Sequence, residues 1–226
     1  TAAAIPHIDG AFAEKIVVPA DHCYILPESI SWGVGALIEP LAVGMNAINR
    51  SGNVACARIL ITGGGTIGQT ISSLVQAMGA IEITISDPSE FARNFSLEHG
   101  AHNVINPVTD AIDHKNDYDI IFEASGAASA LAMCYEIAPK GSRIVQVGTS
   151  SRSDNLPINY IMSKELTVMG SFRYSHVYPK IIDLLTNGMI NVSGIISETY
   201  PFDKMNEAMS RASSKERVIK VQVEMN

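Results

Sequence analysis

The sequence predicts an α/β protein, a doubly wound parallel sheet with smaller segments of different character on either side. Two observations carry this. From residue 58 onward, short apolar strands alternate with helical segments of roughly ten residues or more, which is the pattern of right-handed βαβ crossovers. A glycine-rich turn also stands directly after the first of these strands and directly before the first helix, where a nucleotide-binding unit places one.

Taken in order, "RILIT" is the first strand, followed by a helix through Met78, the strand "EITIS" and a helix through His99. The strands "NVIN" and "YDIIFEA", a helix to Ala138 and the strand "SRIVQVG" come next, and "ELTVMGSF" adds a sixth strand. Before residue 40, "AFAEKIVVPA" and "CYILPESI" read as antiparallel or irregular β with turns. After residue 175, a helix around "VYPKIIDLLTNG", the strand "IISETYPF", the amphipathic "KMNEAMSRASSK" and the strand "VIKVQVEM" form an α+β pattern. The two flanks are expected to belong together.

Composition narrows the function. The chain of 226 residues is 46% hydrophobic and 17% charged, which suits a globular protein with a sizeable core. With a formal charge of −7 it has no basic field for phosphate backbones or anionic lipid, so neither nucleic acid nor a membrane is an expected partner. Apolar runs stop well short of the ~20 residues that span a bilayer, and "TAAAIPHIDG" lacks the basic start of a signal peptide, so a cytoplasmic location is expected. Cys23, Cys56 and Cys134 form no C-x-x-C pair and read as buried thiols, and the spacing of His99 and His102 does not mark a metal site.

In "ILITGGGTIGQTISSLVQAMGA" the turn is Gly63-x-Gly65-x-x-Gly68. Gly63 supplies the backbone angles, Gly65 lets the main chain touch a pyrophosphate, and Gly68 permits close helix packing, while free N–H groups at the helix start bind the phosphates. Glycine clusters also occur in plain turns, but Asp87 closes the next strand about 20 residues on, where a carboxylate holds the adenosine ribose hydroxyls. A carboxylate there welcomes a 2′-hydroxyl and repels a 2′-phosphate, which favours NAD over NADP. Pro88 and Ser89 offer a phosphate no cation; Arg93 is the nearest one, and otherwise reads as a solvated helix residue.

"ALIEPLAVG" places Glu39 in an otherwise small or apolar run, immediately before Pro40. A buried carboxylate needs a cation or donors. Either Glu39 faces such a partner, or it caps a helix that Pro40 begins. Glu123 in "FEASG" is expected to shape the same cleft as the glycine turn without chemistry of its own, and Lys164 and Glu165 read as a solvated helix end.

Together "PHIDGAFAEKIVVP", "ALIEPLAVGMNAI", "GGGTIG", "FEASG", "VQVGTS" and "MGSFRY" make the chain similar to the zinc-dependent medium-chain dehydrogenases, in their polyol and sugar-acid branch. The resemblance covers essentially the whole chain. It implies a Rossmann NAD-binding domain over residues 42–173, flanked by parts of a GroES-like catalytic domain at 1–41 and 174–226. It implies NAD-dependent oxidation of a secondary hydroxyl on a sugar acid or polyol of the idonate or sorbitol kind, in a homodimer or homotetramer built through the sheet edge.

By the same resemblance Glu39 lies beside the catalytic zinc, as a ligand or as partner to zinc-bound water and the substrate hydroxyl. Ile67 meets the cofactor in the glycine turn, and Val147, Gly148 and Thr149 pass the nicotinamide ribose. Ser171, Phe172 and Arg173 approach NAD, while Arg173 and Tyr174 approach the substrate, where an arginine could orient a polyol or a carboxylate. Without the resemblance Arg173 reads as a surface ion pair. The family's remaining zinc ligands lie in an N-terminal region that Thr1 is expected to follow. The chain alone is therefore expected to bind NAD without completing the zinc site.

Overall fold

The computed structural model describes residues 10–110, 117–150, 157–214 and 216–225. Strands β1 (Arg58–Thr62), β2 (Glu82–Ser86), β3 (Asn103–Ile105), β4 (Ile120–Glu123), β5 (Arg143–Gln146) and β6 (Thr167–Gly170) form one parallel sheet in the order β3-β2-β1-β4-β5-β6. Helices α3 (Thr66–Ala77) and α4 (Glu90–Glu98) wind one way from β1, and α5 (Ala128–Ile137) and α6 (Ile158–Ser163) wind the other way from β4. The order reverses between β1 and β4, so a crevice opens there at the carboxyl ends of the strands.

Both faces of the sheet are covered, which is why its strands read as continuous apolar runs. Side chains alternate between the two sides along each strand. Ile59, Ile61, Ile83, Ile85, Ile120 and Phe122 join Ile71, Leu74 and Val75 of α3 in one core. Leu60, Ile121 and Ile144 join Cys134, Tyr135 and Leu166 in the other.

The first core also takes in α2 (Ile38–Ser51), which with its N-cap Leu37 buries Leu41, Met45 and Ile48 at helical spacing, and Val177 and Ile181 of the segment around α7 (Tyr178–Thr186). Position 42, the expected start of the nucleotide-binding domain, lies within α2.

The segments outside the large sheet touch one another. α1 (Trp32–Ala36) touches the two-stranded sheet of β7 (Ile196–Pro201) and β8 (Lys220–Glu224), where Gln222 Nε2 donates to Gly33 O at 2.9 Å. α8 (Met205–Ser214) joins β7 to β8, and the Arg211 guanidinium pairs with Glu198 at 2.8 Å.

Several expectations are corrected. The stretches read as β before residue 40 form no strand among the described residues; they hold only a short 3-10 turn at Ala20–His22. Val17 is 99% exposed and Ile25 92%, and among the described residues no strand lies beside them to take their main-chain groups. Residues 6–9 of the first family-like stretch lie outside the described residues. Cys23 and Cys56 are exposed, the latter on a turn with φ 60°, and only Cys134 is buried, its thiol pushed up to about 12 by burial. Lys164 is no solvated end: its amine donates to Tyr135 O at 3.1 Å and helps satisfy the carbonyls at the end of α5. His99 stacks on Phe95 at 3.8 Å and His102 accepts from Ile83 N, so each has a local packing role.

Candidate functional site

A cleft of about 710 Å³ lies over the reversal point of the sheet. Its floor is the glycine turn. Gly63 has φ +92°, and a Cβ there would sit 2.9 Å from the main chain of Ser125; a Cβ on Gly68 would sit 1.8 Å from Gly63 O. These two glycines are therefore required by the close passage of the turn against β4 and α3. At Gly65 a Cβ would meet nothing within 4 Å, so the main chain faces open space on the cleft side. Gly65 is also the N-cap of α3 and provides no side-chain cap, leaving the first N–H groups of the helix without intrahelical partners. Such a helix start is suited to an anion.

Around the turn, polar groups are already fixed. Asp87 lines the cleft, and its carboxylate accepts from Gly64 N and Ser89 N, each at 2.7 Å. Gln69 Nε2 ties the turn to α4 by donating to Gly64 O and Ser96 Oγ. Arg93 is half-buried and donates to Asp87 O at 2.7 Å, so its guanidinium holds the main chain of the acid rather than standing in solvent.

The opposite wall comes from the end of the chain. Thr66 Oγ1 donates to Ile219 O at 2.8 Å, and Val218, Ile219, Lys220 and Val221 line the cleft. Lys220 is a functional candidate that the sequence reading missed. Its neighbour Ile219 lies 153 positions after Thr66, and only the folded contact through Thr66 reveals the pairing.

The structure brings Gly63, Gly65, Ile67 and Asp87 to this one cleft, with Gly68 packed beneath it. Val147, Gly148 and Thr149 follow β5; Gly148 and Thr149 pack against Gly126, beside the cleft-lining Ser125, while Val147 packs against the first core. Ser171, Phe172 and Arg173 follow β6 and do not line the cleft. Ser171 is buried and accepts from Asn46 Nδ2 at 2.9 Å, and the Arg173 guanidinium lies 5.0 Å from the ring centre of the exposed Phe172.

Glu39 lies elsewhere, in the first turn of α2. The helix begins at Ile38 with Leu37 at its N-cap, so Glu39 is not the cap, though the helix dipole favours a carboxylate at that place. Three tyrosines gather nearby. Tyr174 and Tyr178 share a hydrogen bond between hydroxyls at 3.0 Å, and the Tyr24 ring stands 5.1 Å from that of Tyr178. Burial, the Tyr174 hydroxyl and, further down, the charge of Glu39 hold the Tyr178 phenol well above its usual range. The Glu39 carboxylate makes no hydrogen bond or ion pair among the described residues. Nor, among them, do three His, Cys, Asp or Glu side chains stand together as a metal ion would require. The described residues do not fit a zinc site.

Known proteins resemble this chain in sequence and fold. A family model described as zinc-binding dehydrogenase matches residues 66–187. L-Idonate 5-dehydrogenase (NAD(P)(+)) of Escherichia coli K12 is 34% identical over 96% of this chain and 65% of its own length. Sorbitol dehydrogenase of Bacillus subtilis 168 is 30% identical over 99% of this chain and 66% of its own. The chain thus spans about two thirds of the curated relatives it matches.

Among solved structures, that of the E. coli L-idonate 5-dehydrogenase superposes with a TM-score of 0.92 at 33% identity, covering 99% of this chain and 66% of the other. A short chain alcohol dehydrogenase from E. coli CFT073, complexed with NADH, gives 0.90 at 26% identity over 95% of this chain and 66% of the other. A Sinorhizobium meliloti 1021 protein bound to NADP gives 0.88 at 28% identity over 96% and 66%.

Proposed function

The chain belongs to the zinc-binding dehydrogenase family, and from that premise we propose that it is the cofactor-binding share of an NAD-dependent polyol or sugar-acid dehydrogenase. The observation that carries the reading is the open N-terminus of α3 behind Gly65, with the Asp87 carboxylate on the same cleft. NAD would lie across the sheet with its pyrophosphate on the N–H groups around Gly65 and Ile67. Asp87 would exchange a main-chain donor for the adenosine ribose hydroxyls, and Lys220 would face the phosphates. Val147, Gly148 and Thr149 would pass the nicotinamide ribose, with Ser171, Phe172 and Arg173 near the cofactor's reactive end. When bound, the nicotinamide accepts a hydride from the carbinol carbon of the substrate.

The substrate would be a polyol or sugar acid of the kind named for the relatives, idonate or sorbitol. Arg173 and Tyr174 would orient it and Glu39 would face its hydroxyl. In this reading residues 42–173 are the nucleotide-binding domain, and 1–41 with 174–226 are parts of a GroES-like catalytic domain. The protein would act in the cytoplasm, as a dimer or tetramer joined through the open edge of β6.

A second reading, a non-catalytic NAD-binding protein, is favoured by one observation: no metal-capable cluster accompanies Glu39 among the described residues. The two separate in an assay of NADH appearance with NAD, zinc and either sorbitol, L-idonate or a primary alcohol as control. Oxidation of a secondary hydroxyl supports the dehydrogenase; NADH binding without turnover supports the second reading; oxidation of the primary alcohol alone contradicts the polyol assignment.

A further inference from the structure

Glu123, at the carboxyl end of β4, is 0% exposed. Its carboxylate accepts from four groups on one oxygen: Thr62 Oγ1 at 3.3 Å, Ser125 N at 2.9 Å, Gly126 N at 3.0 Å and the Ser125 hydroxyl. The other oxygen accepts from Gln146 Nε2 at 2.6 Å, and the same amide also donates to Gly148 O at 2.6 Å. The main-chain oxygen of Glu123 accepts from both Val147 N and Gly148 N at 2.8 Å. One residue thus ties together the ends of β1, β4 and β5 and the two turns that follow β4 and β5.

Those turns interlock. A Cβ on Gly148 would sit 2.3 Å from Gly126 N and 2.6 Å from Glu123 Oε2, and one on Gly126 would sit 2.7 Å from Thr149 O. A dinucleotide that crosses the reversal point puts its adenosine over β2, beside Asp87, and its second nucleoside over β4 and β5. We propose that Glu123 is a positioning residue for the nicotinamide end of the cofactor, its carboxylate clamping the 125–126 turn to the 147–149 turn. The inference rests on the NAD reading above.

The consequence of removing the charge follows from the amide of Gln146. Its Oε1 has no donor among the described residues. In Glu123→Gln the new amide nitrogen can face Gln146 only if that side chain turns to present Oε1, and the turned amide no longer reaches Gly148 O. The clamp on the 147–149 turn then opens while the glycine turn and Asp87 are untouched.

The test is calorimetric titration of the unmodified chain and of Glu123→Gln with NADH and with ADP-ribose, which lacks nicotinamide, with thermal melting as the check on folding. The expected result is that the unmodified chain binds NADH more tightly than ADP-ribose. The variant should lose about tenfold in NADH affinity, as for one charge-assisted hydrogen bond, with ADP-ribose affinity unchanged. If Glu123→Gln does not fold, Gln146→Met, which leaves the four donors on Glu123 in place, should show the same selective loss. Equal losses for both ligands in a folded variant, or none for either, overturn the positioning role alone. If the unmodified chain binds neither ligand, the NAD reading falls and the inference falls with it.

Discussion

The two acidic corners of the molecule are built in opposite ways. At the carboxyl ends of the strands, Asp87 is held by two main-chain N–H groups and Glu123 by donors from three strand ends, all from this chain. At the start of α2, Glu39 stands beside three tyrosines with no hydrogen bond or ion pair among the described residues, and it perturbs the Tyr178 phenol through space. A carboxylate removed from water needs donors, and the strand ends provide them within the chain. The Asp87 and Glu123 corner has its donors in place, whereas the Glu39 corner has acceptors and aromatic faces and, among the described residues, no ion-pair partner.

Four substitutions bear on the contrast. The largest effect is expected from Gly68→Ala, because its Cβ would collide with a main-chain oxygen rather than a movable side chain. Denaturant melts should show a loss of about 3 kcal/mol, and NADH binding should disappear. Asp87→Ala removes two main-chain anchors and the ribose acceptor. It should cost about 2 kcal/mol of stability and weaken NADH at least about tenfold while NADPH changes little, as read by fluorescence titration of the two nucleotides.

Lys220→Met should leave the melt in place and weaken NADH by about fivefold, an effect that shrinks as salt is raised across the titrations. Glu39→Gln should do least. With no hydrogen bond or ion pair to lose, it should move stability by less than about 0.5 kcal/mol and leave NADH affinity where it was. A large loss of affinity from Glu39→Gln would erase the distinction between the two corners.

The sheet was legible because burial on both faces turns its strands into uninterrupted apolar runs such as Ile59–Leu60–Ile61, each bounded by turn residues. The glycine turn and Asp87 were legible because their spacing is local and set by backbone geometry. The hub at Glu123 was not, since Thr62 and Gln146 lie 61 and 23 positions away and meet it only through the pairing of β1 and β5 with β4. Lys220 was hidden for the same reason. The misread strands before residue 40 teach the complementary lesson: "KIVV" has strand composition, but β structure needs a neighbour, and none lies beside those residues among the described ones. The exposed thiols of Cys23 and Cys56 went unseen because composition favours burial, while each of these two sits at a turn.

We propose that this chain forms an NAD site from its own residues, with Asp87 choosing against a 2′-phosphate. Calorimetric titration of the purified chain with NADH and NADPH tests it most directly. Saturable binding of one NADH per chain and distinctly weaker binding of NADPH are expected; absence of NADH binding by the folded chain, or tighter binding of NADPH, would overturn the proposal.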